Sequence, residues 1–208
     1  MDLQKAIVER VSVRKFKSDK VEIDLIKKIV EMAGKAPSIN NSQPWKFIAV
    51  TNKEIIDKMA DLVNKKIDKV FPDSHPKSAQ IKSQVQSFST FFVDAPVIIV
   101  VLQRPYEAVV DKILPEEGID HNEINKMRNF PNIQTIGGAI QNMLLTAVDA
   151  GLGGCWLTGP NIAARDLEKL LDIEEPFTIS ACVAIGYPEG NTAPRAKKSL
   201  DEIFELID

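Results

Sequence analysis

The chain has 208 residues with ordinary globular proportions, 44% hydrophobic and 26% charged, so a single domain with one sizeable core is expected. The net charge of −3 disfavours a nucleic-acid backbone as partner, because phosphate attracts basic surfaces. Two cysteines outside any CxxC pair and two histidines without a partner at ligand spacing argue against zinc, iron and iron–sulfur sites. No apolar stretch is long enough to span a bilayer and no leader is evident, so the expected location is cytoplasmic, with no membrane partner.

In chain order, residues 3–9 predict a short helix capped by Asp2, followed by an extended segment at 10–16. Ile26, Ile29, Val30 and Ala33 form the stripe of an amphipathic helix, which Gly34 suits as C-cap. Residues 46–50 read as a strand and 54–70 as a second helix. After a break at 71–76, Ile81, Val85, Phe88 and Phe92 mark one face of a third helix, which Asp94-Ala95-Pro96 ends.

The continuous apolar run at 97–102 predicts a strand covered on both faces. Residues 104–130 are charged and lack periodicity, the signature of an active-site lid or of a solvated excursion. The helix at 133–150 is apolar nearly all around and should be buried; Gly137 and Gly138 cost it about 1 kcal/mol each, which close approach of another backbone would explain. A strand at 155–157, a helix at 162–171 capped by Asn161 and a strand at 178–185 complete an α+β sandwich.

Several chemistries drop out. There is no GxSxG elbow and no P-loop. Gly151-Leu152-Gly153-Gly154 follows a helix and precedes a strand, the reverse of a phosphate cradle, and reads as a helix stop and close packing point. Glu116, Glu117, Asp120 and Glu123 read as a solvated loop rather than a hydrolytic carboxylate pair. Cys155 and Cys182 read as small core hydrophobes. What remains is cationic: Arg10, Ser12 and Arg14 alternate along the first extended segment, and Arg195, Lys197 and Lys198 cluster in the tail. Two such clusters could meet around one phosphate, but on pattern alone ordinary surface charge is the better reading.

The stretch Ala36-Pro37-Ser38-Ile39-Asn40-Asn41-Ser42-Gln43-Pro44-Trp45 closely resembles the APSxxNxQPW motif of the FMN-dependent nitroreductase family. Arg10-Val11-Ser12-Val13-Arg14-Lys15-Phe16 resembles that family's RxSxRxF opening. Asp94-Ala95-Pro96, Gly137-Gly138-Ala139-Ile140-Gln141-Asn142, Gly151-Leu152-Gly153-Gly154-Cys155-Trp156, Ile185-Gly186-Tyr187-Pro188 and the basic tail Arg195-Ala196-Lys197-Lys198-Ser199-Leu200 follow in the family's order.

The resemblance implies a three-layer α/β/α sandwich, its mixed and mainly antiparallel sheet built around a buried central helix, in an intertwined homodimer. Residues 1–208 would be one FMN-binding domain with 104–130 as lid. Arg10, Ser12, Arg195, Lys197 and Lys198 would hold the FMN phosphate. Arg14 would lie by the ribityl chain and the N1/O2 edge. Pro37, Ser38, Ile39 and Asn41 would reach the flavin from the other subunit, and Thr158 and Gly159 would approach N5 and O4. Pro37, Ser38 and Asn41 also suit a plain turn, Thr158-Gly159-Pro160 a strand-to-helix connection, and Trp45 the core.

The resemblance departs from the pattern in two places. Thr158 stands where some branches carry an acid, and the mid-chain asparagine and lysine that other members place on the flavin have several candidates within 61–86, Asn64 among them. The implied activity is NAD(P)H-driven reduction of a nitroaromatic, quinone or similar small acceptor. Flavin destructases, dehalogenating enzymes and small-molecule dehydrogenases share the scaffold, and a non-catalytic FMN-binding protein is the remaining alternative.

Overall fold

The computed structural model describes residues 1–72 and 77–207; His75 and most of the predicted break at 71–76 lie outside them. Four strands form one sheet in the order β1-β2-β4-β3: β1 (Trp45–Val50), β2 (Val97–Gln103), β3 (Gly153–Leu157) and β4 (Thr178–Gly186). Each hydrogen-bonded pair of these strands is antiparallel, and among the described residues the one parallel element is an isolated bridge between Ser12 and Gly154.

Alternation along β2 sets the layers, because successive side chains leave opposite faces of a strand. Ile98, Val100 and Leu102 join Cys155, Leu157, Cys182 and Ala184 beneath Ile56, Met59, Val63 and Ile67 of α3 (Lys53–Val70) and Leu167 of α7 (Ala164–Leu170). Val97, Ile99 and Val101 face the other way, with Ala181, Val183 and Ile185. They pack on Ile26, Ile29 and Ala33 of α2 (Ile23–Ala33) and on Ile136, Ile140, Met143 and Ala147 of α6 (Pro131–Asp149). The result is the expected three-layer sandwich.

The register of β2 on β4 slips between Val101 and Leu102, leaving Ser180 as an extra residue. This bulge turns Ile179 onto the α3 face although Ala181 and Val183 face α6. Two buried contacts hold it. Glu168 Oε1 accepts from the Ile179 amide at 2.9 Å, and Asn161 Nδ2 donates to the Ser180 carbonyl at 2.7 Å. Asn161 therefore does not cap a helix at 162–171. A 3-10 turn runs through Gly159–Ala163, α7 begins only at Ala164, and the Asn161 side chain is committed to the bulge.

Other expectations need amending. α1 (Leu3–Glu9) has its Asp2 cap, whose carboxylate accepts from Lys5 N at 3.0 Å. Gly34 ends α2 in a right-handed conformation, φ −66°, so the position does not demand glycine. α4 (Ser78–Thr90) stops short of Phe92. A 3-10 turn at Phe91–Asp94 swings Phe92 into the core, while Ile81 and Phe88 of the predicted face stay exposed. α6 is buried on one face only; Ile133, on the other, is 45% exposed in the single chain. Its glycines face side chains: a β-carbon on Gly137 would lie 3.4 Å from the Trp156 ring, and one on Gly138 would lie 3.8 Å from the Ala36 β-carbon.

Residues 104–130 are more structured than their composition suggests. They hold 3-10 turns at Val109–Lys112 and Leu114–Glu117 and the helix α5 (His121–Met127). Asp120 caps α5, accepting from the Asn122 and Glu123 amides at 2.7 and 3.0 Å. Among the described residues, no helix is long and apolar enough to cross a membrane.

Candidate functional site

The first cationic segment is laid along the free edge of β3. The Val13 amide donates to the Gly154 carbonyl at 3.1 Å, beside the Ser12–Gly154 bridge. Glycine is required at Gly153 by space, since a β-carbon there would stand 2.5 Å from Val13 Cγ2 and 2.8 Å from Val13 Cβ, while one on Gly154 would push the end of Leu144 aside, 2.7 Å from its Cδ2. Gly151, at φ 76°, ends α6 as predicted. Val13 is buried, and alternation turns Ser12 and Arg14 away from it. Arg14 is exposed, its guanidinium 6.0 Å from the centre of the Phe91 ring.

Thr158 and Gly159 continue the same edge beyond Leu157. Both are exposed. A β-carbon on Gly159 would fall 2.7 Å from Ser89 Oγ and 3.1 Å from Ser89 Cα, so only glycine lets this backbone lie against the end of α4. Since Phe91 and Ser89 are two residues apart, Arg14 and Gly159 border the same helix end. Arg10, Ser12, Arg14, Thr158 and Gly159 thus form one strip along β3.

The electrostatics of the strip favour an anion. Neither Arg10 nor Arg14 has a carboxylate partner among the described residues. Their influence is registered by the thiol beneath them. Burial pushes the Cys155 thiol up, while Arg14, a hydrogen bond with Ser12, and Arg10 pull it partly back. Cys182, enclosed in the core, is pushed up to about 12 by burial alone. Among the described residues, no group of His, Cys, Asp or Glu could hold a metal ion.

Pro37, Ser38, Ile39 and Asn41 lie elsewhere. They form the turn leading into β1, with Asn40, Asn41 and Gln43 at φ of 47°, 53° and 44°. Ser38 Oγ accepts from the Gln43 amide at 3.1 Å, and the Ile39 amide donates to Thr135 Oγ1 of α6 at 3.4 Å. Pro37 and Asn41 are exposed. β1 and β3 are the outer strands, about 14 Å apart at ~4.8 Å per strand spacing, and the cationic segment lies beyond β3. The turn and the strip do not meet within one chain.

The tail cations are not brought in either. The chain last touches the first segment where Glu189 N donates to Lys15 O at 3.0 Å, beside the Phe16–Pro188 bridge. Beyond that, Arg195, Lys197 and Lys198 are exposed. Arg195 is six residues past this anchor, and six extended residues reach about 20 Å, so it stays within range of the strip.

Asn64 of α3 is among the mid-chain candidates, and its Oδ1 is buried without a hydrogen-bond partner. α3 packs against the 3-10 turn Gly159–Ala163. A buried orphaned acceptor fits a polar group of a bound molecule, and this signal is visible only in the fold.

Comparison with known proteins places these features in context. The family model described as the Nitroreductase family matches residues 7–187. A solved BluB-like flavoprotein of Clostridium difficile 630 is 34% identical over the full length of both chains, with a TM-score of 0.88. A nitroreductase with bound FMN from Desulfitobacterium hafniense DCB-2 has a TM-score of 0.74 at 22% identity, covering 99% of this chain and 97% of its own. A Methanothermobacter thermautotrophicus protein, named as a candidate NADH dehydrogenase/NAD(P)H nitroreductase, is 29% identical over 94% of this chain and 82% of its own.

Proposed function

The chain belongs to the nitroreductase family, and from that premise we propose that it is an FMN-dependent oxidoreductase, driven by NADH or NADPH, that reduces a nitroaromatic, quinone or similar small acceptor. The observation that carries the reading is the strip on β3: two arginines without carboxylate partners among the described residues, a serine between them, and a glycine-dependent backbone beyond, all on one open edge. Bound FMN would supply the two-electron chemistry, accepting hydride and passing electrons on, as flavins do in any protein that positions them.

The residues of the chain have separate tasks. Arg10 and Ser12, joined by Arg195, Lys197 and Lys198 of the tail, hold the phosphate through charge-assisted hydrogen bonds. Arg14 offers positive charge to the pyrimidine edge of the ring. The Thr158–Gly159 backbone lies at its reactive side. Pro37, Ser38, Ile39 and Asn41 come from a second copy, because the turn that bears them is a sheet's width away in its own chain. Residues 104–130 cover the site as part of a single domain.

A homodimer also accounts for the apolar groups the single chain leaves bare. These include Leu3, Ile7 and Val8 of α1, Phe88 of α4, and Leu200, Ile203, Phe204, Leu206 and Ile207 of the tail. The full-length similarity to a protein described as a BluB-like flavoprotein favours one second reading, a different flavin reaction on the same scaffold.

The test is an absorbance spectrum of the purified protein. The expected result is a yellow protein, bleached by NADH or NADPH and recoloured by nitrofurazone or menadione. A colourless protein that takes up no flavin overturns the proposal. Bound flavin indifferent to both nucleotides identifies a binding protein, and bleached flavin that neither acceptor reoxidises supports the second reading.

A further inference from the structure

We infer that Tyr106 is a positioning residue that fixes the excursion 104–130 onto the motif turn, so that cover and turn act on the ring as one body; this rests on the proposed function. Asn40 Nδ2 donates to Tyr106 Oη at 2.6 Å, and Tyr106 is buried although it lies four residues beyond the buried run of β2. Two further bonds join the same partners. The Arg104 amide donates to the Pro44 carbonyl at 2.8 Å, and its guanidinium donates to the Ser42 carbonyl at 3.3 Å.

The link matters because of the backbone it holds. Asn40 and Asn41 both have positive φ. Such conformations are strained for residues other than glycine and persist only where the surroundings fix them. Within the turn, the Asn41 amide donates to the Ser38 carbonyl, the Ser42 amide to the Ile39 carbonyl, and Ser38 Oγ accepts from the Gln43 amide. From outside it, the Asn40 side chain and the Ser42 and Pro44 carbonyls are engaged by residues 104–106. Asn40 is the neighbour of Ile39 and Asn41, so its anchorage sets where those two are presented.

The excursion is itself a braced unit. Asn132 Nδ2 donates to Gln103 Oε1 at 3.0 Å and closes its neck. Inside, Asp111 accepts from the Ala108 amide at 2.5 Å, while His121 Nδ1 stands 3.3 Å and Arg128 4.0 Å from its carboxylate. Arg128 donates to Asn125 Oδ1 at 3.0 Å and lays its guanidinium 5.5 Å from the centre of the Tyr106 ring. The phenol therefore has one end packed on the excursion and the other bonded to the turn. Between the two lies a cavity of about 500 Å³ lined by Asn40, Ser42, Arg104 and Tyr106.

The experiment is a double-mutant cycle on the FMN-loaded protein with Tyr106→Phe, which removes only the hydroxyl, and Asn40→Gly, which removes the amide but tolerates the positive φ. Each single variant should lower kcat/KM for the acceptor about three- to tenfold, the range one hydrogen bond supports, with the melting temperature held within a few degrees. The double variant should be no worse than either. Hydrogen exchange on the flavin-free protein supplies a readout apart from turnover: each variant should raise exchange in residues 38–44 and 104–112 together. Additive losses, unchanged turnover, or loosening confined to the mutated segment would overturn the inference. Failure of the wild-type protein to bind or reduce flavin would instead overturn the proposed function, and is read separately.

Discussion

Val13 occupies the space where a side chain on Gly153 would stand, its Cγ2 only 2.5 Å from that β-carbon position. The pair docks the cationic segment on β3, with Arg10, Ser12 and Arg14 arrayed around Val13. Gly153→Ala should force the segment outward. Overpacking of this kind costs about 1–3 kcal/mol, which urea denaturation would register, and the FMN dissociation constant should rise with it. Adding Val13→Ala should return part of both losses; no recovery would show that the clash is not with Val13.

Arg10 has no carboxylate partner among the described residues, so its removal should cost little in folding. Arg10→Ala should weaken FMN binding about 10- to 100-fold, the value of one charge-assisted hydrogen bond. Fluorescence titration of flavin decides it, and an unchanged dissociation constant removes Arg10 from the phosphate site.

Glu168 is buried and accepts the Ile179 amide that the β-bulge frees from the ladder. Glu168→Ala should destabilise the fold by about 1–3 kcal/mol, because it strands a buried N–H. Glu168→Gln keeps an acceptor oxygen and should lose less. Equal denaturation midpoints for the two variants would contradict this account of the bulge.

Cys182 carries a pH prediction. Its pKa rises from the ordinary 9.0 to about 12 on folding, so the folded chain keeps a proton that the unfolded chain releases. That contribution to stability is whole below pH 9 and fades as pH climbs towards 12, by at most about 1.4 kcal/mol per pH unit. Urea midpoints at pH 8, 9 and 10 should therefore fall more steeply for the wild type than for Cys182→Ala. Parallel curves would rule out the buried thiol as the source.

The parts legible in the sequence were those where one physical demand acts alone. The unbroken apolar run of β2 suited a strand covered on both faces, and the stripe of Ile26, Ile29 and Ala33 suited one face of a helix. The Gly151–Gly154 reading held because a helix stop and a tight packing point leave different marks. Asn161 misled because a capping residue and a bulge-holding residue look identical until the distant Ser180 is placed. Phe92 misled because a change from α to 3-10 pitch at Phe91 rotates everything after it. α5 escaped notice because it is short and buries only Ile124 and Asn125. For the candidate site, the alternation of Arg10, Ser12 and Arg14 was readable, but its separation from the Pro37–Asn41 turn belongs to strand order, which no local pattern encodes.

The stretch after Glu189 ends in bare Leu200, Ile203, Phe204, Leu206 and Ile207. Apolar groups left in water withhold their burial free energy until another surface receives them. The proposed homodimer would receive them, so the thermal midpoint should climb with protein concentration, as mass action requires when association and folding are linked. If the proposed homodimer shares the flavin between its copies, dilution should release bound cofactor as well as partner.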